Sequence, residues 1–165
     1  RAVALADGTA LVTAAAPDGG AGRRAGVGPA VPVADLPRSW AAARVALRLT
    51  AEGTERDPGQ PVVYADELGG LAVLAEAVGP GTPPSPDVAA LERAAAAAPW
   101  TLATLHAVAV TPSLRTAAAM LTLHHSTLQD RLAHAERQLG WAVRDAHGKL
   151  RLQLALALRR LHRPA

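Results

Sequence analysis

Within the stretch from Ser113 to Leu139, the residues whose types and spacing could do chemistry are Ser126, Gln129, Asp130, Arg131 and Arg137, and that chemistry is the reading of nucleic-acid edges and phosphates. Gln pairs with the adenine edge, Ser bonds a groove edge or a phosphate, and a carboxylate such as Asp130 accepts only from a donor such as cytosine N4. Asp130 also repels phosphate. If Leu128, Leu132, Ala135 and Leu139 face inward, the hundred-degree step of a helix turns Ser126, Asp130, Ala133 and Arg137 outward, with His125 and Gln129 flanking near the amino-terminal end. A recognition helix enters the major groove by that end.

Two helices and a tight turn must hold these groups. SLRTAAAML predicts a short helix with Leu114, Ala117, Ala118 and Leu121 on one face, Thr122 to His124 predict a turn, and LQDRLAHAERQL predicts the second helix. Ala118 lies where two steeply crossing helices need a side chain no larger than a methyl group, and Leu123 can plug the angle between them. A helical hairpin that packs the same way without touching DNA satisfies the same spacing.

The run from Trp100 to Arg160, TLATLHAVAV then SLRTAAAMLTLHHSTLQDRLAHAERQLG then KLRLQLALALR, resembles the carboxy-terminal helix-turn-helix domain of PucR/CdaR-type bacterial transcription regulators. In that family the second helix opens on His-Arg-Asn-Thr, continues through an apolar residue, a basic and aromatic pair and Arg-Leu, and closes at Leu-Gly. His124, Thr127, Leu128, Arg131, Leu132, Leu139 and Gly140 match, whereas His125 and Ser126 replace the signature Arg and Asn, and Gln129 and Asp130 replace the basic and aromatic pair. The resemblance implies double-stranded DNA as partner, with His124, His125, Ser126, Thr127, Gln129 and Arg131 at the groove and Arg115 and Arg137 on phosphates.

Composition bounds the rest. The 165 residues fit one ordinary domain or two small ones, and two is the expectation. Half the residues are hydrophobic, yet Phe is absent and only Trp40, Trp100, Trp141 and Tyr64 are aromatic, so any core is Leu, Val and Ala. The Ala, Gly, Pro and Arg bias suggests a high-GC bacterial genome. From Arg1 to Pro99 eight arginines face eleven acids, a balance of −3; from Trp100 onward nine cations face three acids, +6, and all six His fall there. A basic carboxy-terminal half beside an acidic remainder is the arrangement expected of a phosphate-binding domain attached to something else, the alternative being a solvated basic helical bundle. The absence of Cys excludes disulfides and thiolate sites and suits a reducing, cytoplasmic setting. No apolar run reaches the roughly 18 residues of a membrane span, so no membrane is expected as partner. The start at Arg1 without Met is expected of a piece of a longer protein, with any small-molecule effector acting through regions before Arg1.

The fold expected is α+β, a small or partial α/β sandwich followed by an all-α helix-turn-helix domain. RAVALADGTALVTAAAP reads as a hairpin turning at Asp7-Gly8 and returning over Leu11 to Ala15. DGGAGRRAG reads as loop, Val27 to Val33 as a strand broken by Pro29 and Pro32, and SWAAARVALRLTAEG as a helix capped by Asp35 or Ser39, with Trp40, Ala43, Leu47 and Leu49 or Thr50 near one face, and ended by Gly53. PVVYA predicts a short strand of the buried type, and ADELGGLAVLAEAVG a helix begun or interrupted at Gly69-Gly70 with Leu68, Leu71, Leu74 and Ala75 as its apolar stripe. GPGTPPSPD, residues 79–87, reads as a linker, and DVAALERAAAAA as a helix capped by Ser85 or Asp87 and stopped by Pro99. WTLATLHAVAV is a helix that supports the hairpin through Leu102, Leu105, His106 and Ala109, with His106 a packing residue. WAVRDAHGK reads as a connection. The strict Leu alternation over 150–158 suits a strand, but its residue types favour helix, and helix is the expectation. So many Leu residues exceed one helical face, leaving a face for a second subunit of a homodimer.

The passage from Gly26 to Leu74 resembles the end of the degenerate GGDEF-like domain that precedes the DNA-binding domain in the same regulators: a glycine-containing strand, an Ala-Arg-x-Ala-Leu helix over Ala43 to Leu47, and Tyr64, Asp66, Leu68 and Gly69 in Tyr-x-Asp-x-Leu-Gly. The expected division is therefore 1–66 for a partial GGDEF-like domain, 67–98 for connecting helices, and 99–165 for the helix-turn-helix domain. Cyclase chemistry is excluded at Gly19-Gly20, which is followed by Ala21-Gly22 rather than by metal-holding acids. No enzyme activity, metal or cofactor is expected: there is no GxSxG turn, and adjacent His124 and His125 diverge on a helix. Two readings remain, a DNA-binding transcription regulator using the helix from about His125 to Leu139, and a dimerisation or protein-interaction module whose hairpin does not bind DNA.

Overall fold

Two glycines allow the first sheet to meet its helix. In the computed structural model, which describes residues 1–13, 24–79 and 81–163, a Cβ on Gly26 would lie 2.0 Å from the carbonyl oxygen of Ala43, and one on Gly28 2.0 Å from that of Ser39. Strand backbone thus lies directly on helix backbone, an approach that only a residue without a side chain permits. The strands are β1 (Ala2–Leu5), β2 (Ala10–Val12), β3 (Ala25–Val27) and β4 (Val62–Tyr64), in the spatial order β2-β1-β3-β4. β1 pairs antiparallel with β2 and with β3, placing Val3 opposite Val27; β3 pairs parallel with β4, placing Gly26 opposite Val63. Helix α1 (Leu36–Arg48) makes the crossover that a parallel pair requires.

The chain divides into two compact units, residues 1–53, 59–82 and 160–165 in the first, and 54–58 and 83–159 in the second. The first has a core of Val3, Ala25 and Val27, with Leu5, Val62 and Tyr64 against it. The Asp7-Gly8 hairpin forms as expected, Gly8 taking φ +84° and Asp7 accepting from the Thr9 amide at 2.9 Å. The end of its return beyond Thr13, the Gly19-Gly20 stretch and most of the Gly-rich loop lie outside the described residues.

Several boundaries differ from the sequence expectation. The strand expected over Val27 to Val33 is Ala25–Val27, because pairing ends with the Gly28 amide on Ala2, Pro29 has no N–H to continue it, and Val33 begins a 3-10 turn. Asp35 holds the cap position of α1 without a side-chain bond, because the turn itself satisfies the entering amides through Pro32 and Val33. Ser39 lies inside the helix, buried, accepting from the Ala2 amide at 3.0 Å and donating to the Pro29 carbonyl at 2.8 Å, and so ties three segments together. Helix α1 ends at Arg48 rather than near Gly53, since the Thr50 hydroxyl takes the Leu47 carbonyl at 2.7 Å. β4 is half-buried because it is an edge strand. Helix α2 (Gly70–Ala77) follows a 3-10 turn holding Leu68; Leu68 and Ala75 are buried but Leu71 is exposed, since a residue before the helix does not share its spacing.

In the second unit five helices enclose one core. They are α3 (Pro86–Ala97), α4 (Thr101–Val110), α5 (Leu114–Met120), α6 (His125–Leu139) and α7 (Ala146–Leu161), whose last two residues fall in the first unit. Leu91, Leu105, Leu128, Leu132, Val143 and Leu152 are wholly buried in it. The irregular stretch expected over 79–87 ends at Ser85, whose hydroxyl accepts from the Val88 amide, while Pro86 occupies the first helical position where its missing N–H costs nothing. Residues 146–149, expected as connection, are the first turn of α7: Asp145 accepts from the Gly148 amide at 2.7 Å, and a Cβ on Gly148 would lie 2.0 Å from the Ala142 carbonyl oxygen. The Leu alternation resolves on this helix into buried Leu152 and Leu156 and exposed Leu150 and Leu154. Among the described residues no helix is long and apolar enough to cross a membrane.

Candidate nucleic-acid interface

Helices α5 and α6 meet through small side chains. Ser113 caps α5, its hydroxyl accepting from the Thr116 amide at 3.2 Å. Ala117 and Ala118 are buried, and Leu114, Leu121 and Leu123 pack against the same core. The turn closes when the Thr122 amide bonds Ala119 and the Leu123 amide bonds Ala118, at 3.1 and 2.9 Å. Thr122 takes φ +54°, alone among the described non-glycine residues in the left-handed region. A β-branched residue there is strained, so the packing of Leu123 must hold the turn.

Helix α6 turns its Leu128, Leu132, Ala135 and Leu139 face to the core, as its spacing predicts. It ends at Gly140, which takes φ +85° and bonds Glu136. Glu136 also accepts from the Val143 amide at 2.9 Å and pairs with Arg144 at 3.2 Å, fixing the chain that leaves the helix. From the other side Lys149 donates to the Thr111 carbonyl, and Gln153 to that of Ala109 at 2.8 Å, so α7 satisfies the open carbonyl end of α4. A bidentate bridge from Arg151 to Asp87, at 2.6 and 2.7 Å, joins α7 to the start of α3, and the guanidinium stacks on Trp141 at 4.1 Å. The Arg151 hydrogen bonds, more than the opposing burial, hold the Asp87 carboxyl below its ordinary value.

The anticipated contact residues divide into three groups. His125, Thr127 and Gln129 are exposed in the amino-terminal half of α6, beside Asp130, and their side chains bond no described residue; Arg115 on α5 and Arg137 toward the far end of α6 are likewise exposed and unpaired. His124 is the cap of α6: its Nδ1 accepts from the Ser126 amide at 3.4 Å and shares a hydrogen bond with the Ser126 hydroxyl at 2.8 Å. His124 and Ser126 are exposed but already serve the helix end. Arg131 is half-buried over the ring of Trp100, 5.1 Å from its centre. His134 meets the same ring edge-on at 5.5 Å, with its Nε2 buried and unpaired among the described residues.

This platform of Trp100, Arg131 and His134 was missed from sequence. The three-residue step from Arg131 to His134 puts both on one helical face, but the position of Trp100 beneath them depends on how α4 packs against α6. Among the described residues no group of three His, Asp or Glu side chains could hold a metal ion.

A capped short helix, a strained turn and a second helix with an exposed amino-terminal half define a helix-turn-helix segment. Residues 101–158 match the family of the PucR C-terminal helix-turn-helix domain. No curated protein and no solved structure matches the chain.

Proposed function

We propose that this chain is the carboxy-terminal part of a DNA-binding transcription regulator that enters the major groove with α6. The observation that carries the reading is the exposed amino-terminal half of a rigidly seated helix, where the side chains of His125 and Gln129 on one flank and of Thr127 on the other bond no described residue. His125, Thr127 and Gln129 read base edges, and Arg115 and Arg137 hold phosphates. His124 and Ser126 set the helix end that is presented, and Arg131 positions the helix through Trp100. The first unit is read as the end of a degenerate GGDEF-like domain, on the order of glycine strand, α1 and β4. The exposed Leu150 and Leu154, one turn apart on α7, are the face for a second copy, which would present two recognition helices to two half-sites.

The competing reading, an interaction module that does not bind DNA, is favoured by the exposed carboxylate of Asp130 in the middle of that face and by the stacking of Arg131. Salt dependence of duplex binding separates the two. A chain that neutralises phosphates loses affinity linearly on a log–log scale as salt rises, and the Arg115→Ala/Arg137→Ala variant should reduce that slope by about two, one per phosphate contact. An unchanged slope removes both arginines from the interface.

A further inference from the structure

We propose that the first unit binds a small organic anion in a basic cavity between its hairpin and α1. The cavity has a volume of about 690 Å³, and among the described residues five guanidiniums line it, those of Arg24, Arg44, Arg48, Arg160 and Arg163, with one carboxylate, that of Asp7. Its size suits a small metabolite rather than a macromolecular surface.

Three of the five arginines have work within the fold. Arg48 donates to the carbonyls of Ala75, Val78 and Leu161, Arg160 to that of Leu49, and Arg163 to that of Thr50. The last two satisfy carbonyls just beyond the end of α1, where the helix dipole favours cations. A carbonyl orients a guanidinium without cancelling its charge, so Arg48 stays a full cation beside the cavity. Arg24 and Arg44 have no such work: their side chains make no hydrogen bond or ion pair with any described residue. Arg44 also stands one helical turn from Arg48, a like-charge spacing that disfavours the helix unless an anion lies between them.

Convergence of cations that the fold does not use, at the rim of a concave site, is the arrangement that captures a phosphate or carboxylate. Leu5 and Val45 supply aliphatic wall beside the charges, so the ligand carries an apolar body behind its anionic group. The site lies inside this chain, where a regulator's effector could act without any segment before Arg1, but the inference stands on the cavity alone and does not depend on DNA binding.

Calorimetric titration of the 165-residue chain with inorganic phosphate and, separately, with succinate tests the proposal. Binding of at least one probe is expected, with affinity falling about tenfold or more in Arg24→Ala/Arg44→Ala, since each arginine removed deletes a charge-assisted contact. Arg38→Ala, which removes an exposed arginine of α1 that does not line the cavity, should bind as the unmodified chain does. A preference for phosphate or for succinate assigns the ligand to phosphorylated or carboxylated compounds. Arg44 is exposed, Arg24 is half-buried and neither side chain bonds a described residue, so a melting temperature that is not lowered in the ligand-free double variant separates lost binding from lost fold. Failure of both probes to bind, or binding that the double variant leaves unchanged, overturns the proposal.

Discussion

The two units close on different surfaces. In the first, β3 lies on α1 backbone to backbone, with Gly26 and Gly28 against the carbonyls of Ala43 and Ser39. In the second, α6 is seated by whole side chains, Leu128, Leu132 and Leu139, in a core that all five helices share. A backbone contact admits no added atom, whereas a leucine core admits loss at a graded cost. The first unit should therefore fail abruptly on substitution and the second progressively.

The largest effect expected is at Gly26. Gly26→Val drives a Cβ and its two methyl groups into the α1 backbone and should cost about 4 kcal/mol, read as a fall in the urea midpoint and loss of amide protection in β1 and β3. Tolerance of valine would mean that sheet and helix do not touch as described. Leu132→Ala leaves a cavity in the second core and should cost about 3 kcal/mol in the same assay, with amides of α4 and α6 exchanging faster. A loss well below 1 kcal/mol would show the core to be loosely filled.

The smallest effect is electrostatic. The Asp87 carboxyl titrates lower folded than unfolded because of Arg151, so its contribution is fully present above the unfolded value and is lost as pH falls through the folded one. Acid titration should thus weaken the second unit below about pH 4, and Asp87→Asn should flatten that limb while leaving the α6 face intact. Both partners are partly exposed, so solvent screening keeps the effect small. An acid limb unaltered by Asp87→Asn would remove the bridge from the account.

The same contrast explains what sequence could reveal. Leu128, Leu132, Ala135 and Leu139 declare a helical face by period alone, and Ser113, Ser85 and Gly140 declare helix ends by residue type. The Asp7-Gly8 turn was legible for the same local reason. Gly26 and Gly28 carry no such signal, since a Gly-x-Gly spacing fits a loop as well as a strand crossed by a helix. The start of α7 was hidden because His147 and Gly148 look like loop, and only the nearby Ala142 carbonyl shows why glycine belongs inside a helix there. At the interface, exposure of His125, Ser126, Gln129, Asp130 and Arg137 followed from periodicity, but the engagement of His124 with Ser126 and of Arg131 with Trp100 depends on cap geometry and tertiary packing. The basic cavity was beyond reach for a related reason: its arginines come from three separate stretches of chain.

The most direct test of the central claim is fluorescence anisotropy of this chain with labelled genomic duplexes across a salt series, beside the Asp130→Arg variant. If α6 faces DNA, affinity should fall steeply with salt, and replacing the carboxylate of Asp130 on the exposed face by a cation should raise non-specific affinity and steepen the salt slope by about one. Salt-insensitive or absent binding, or an affinity that Asp130→Arg leaves unchanged, would contradict the docking of α6 and leave the interaction module as the reading that stands.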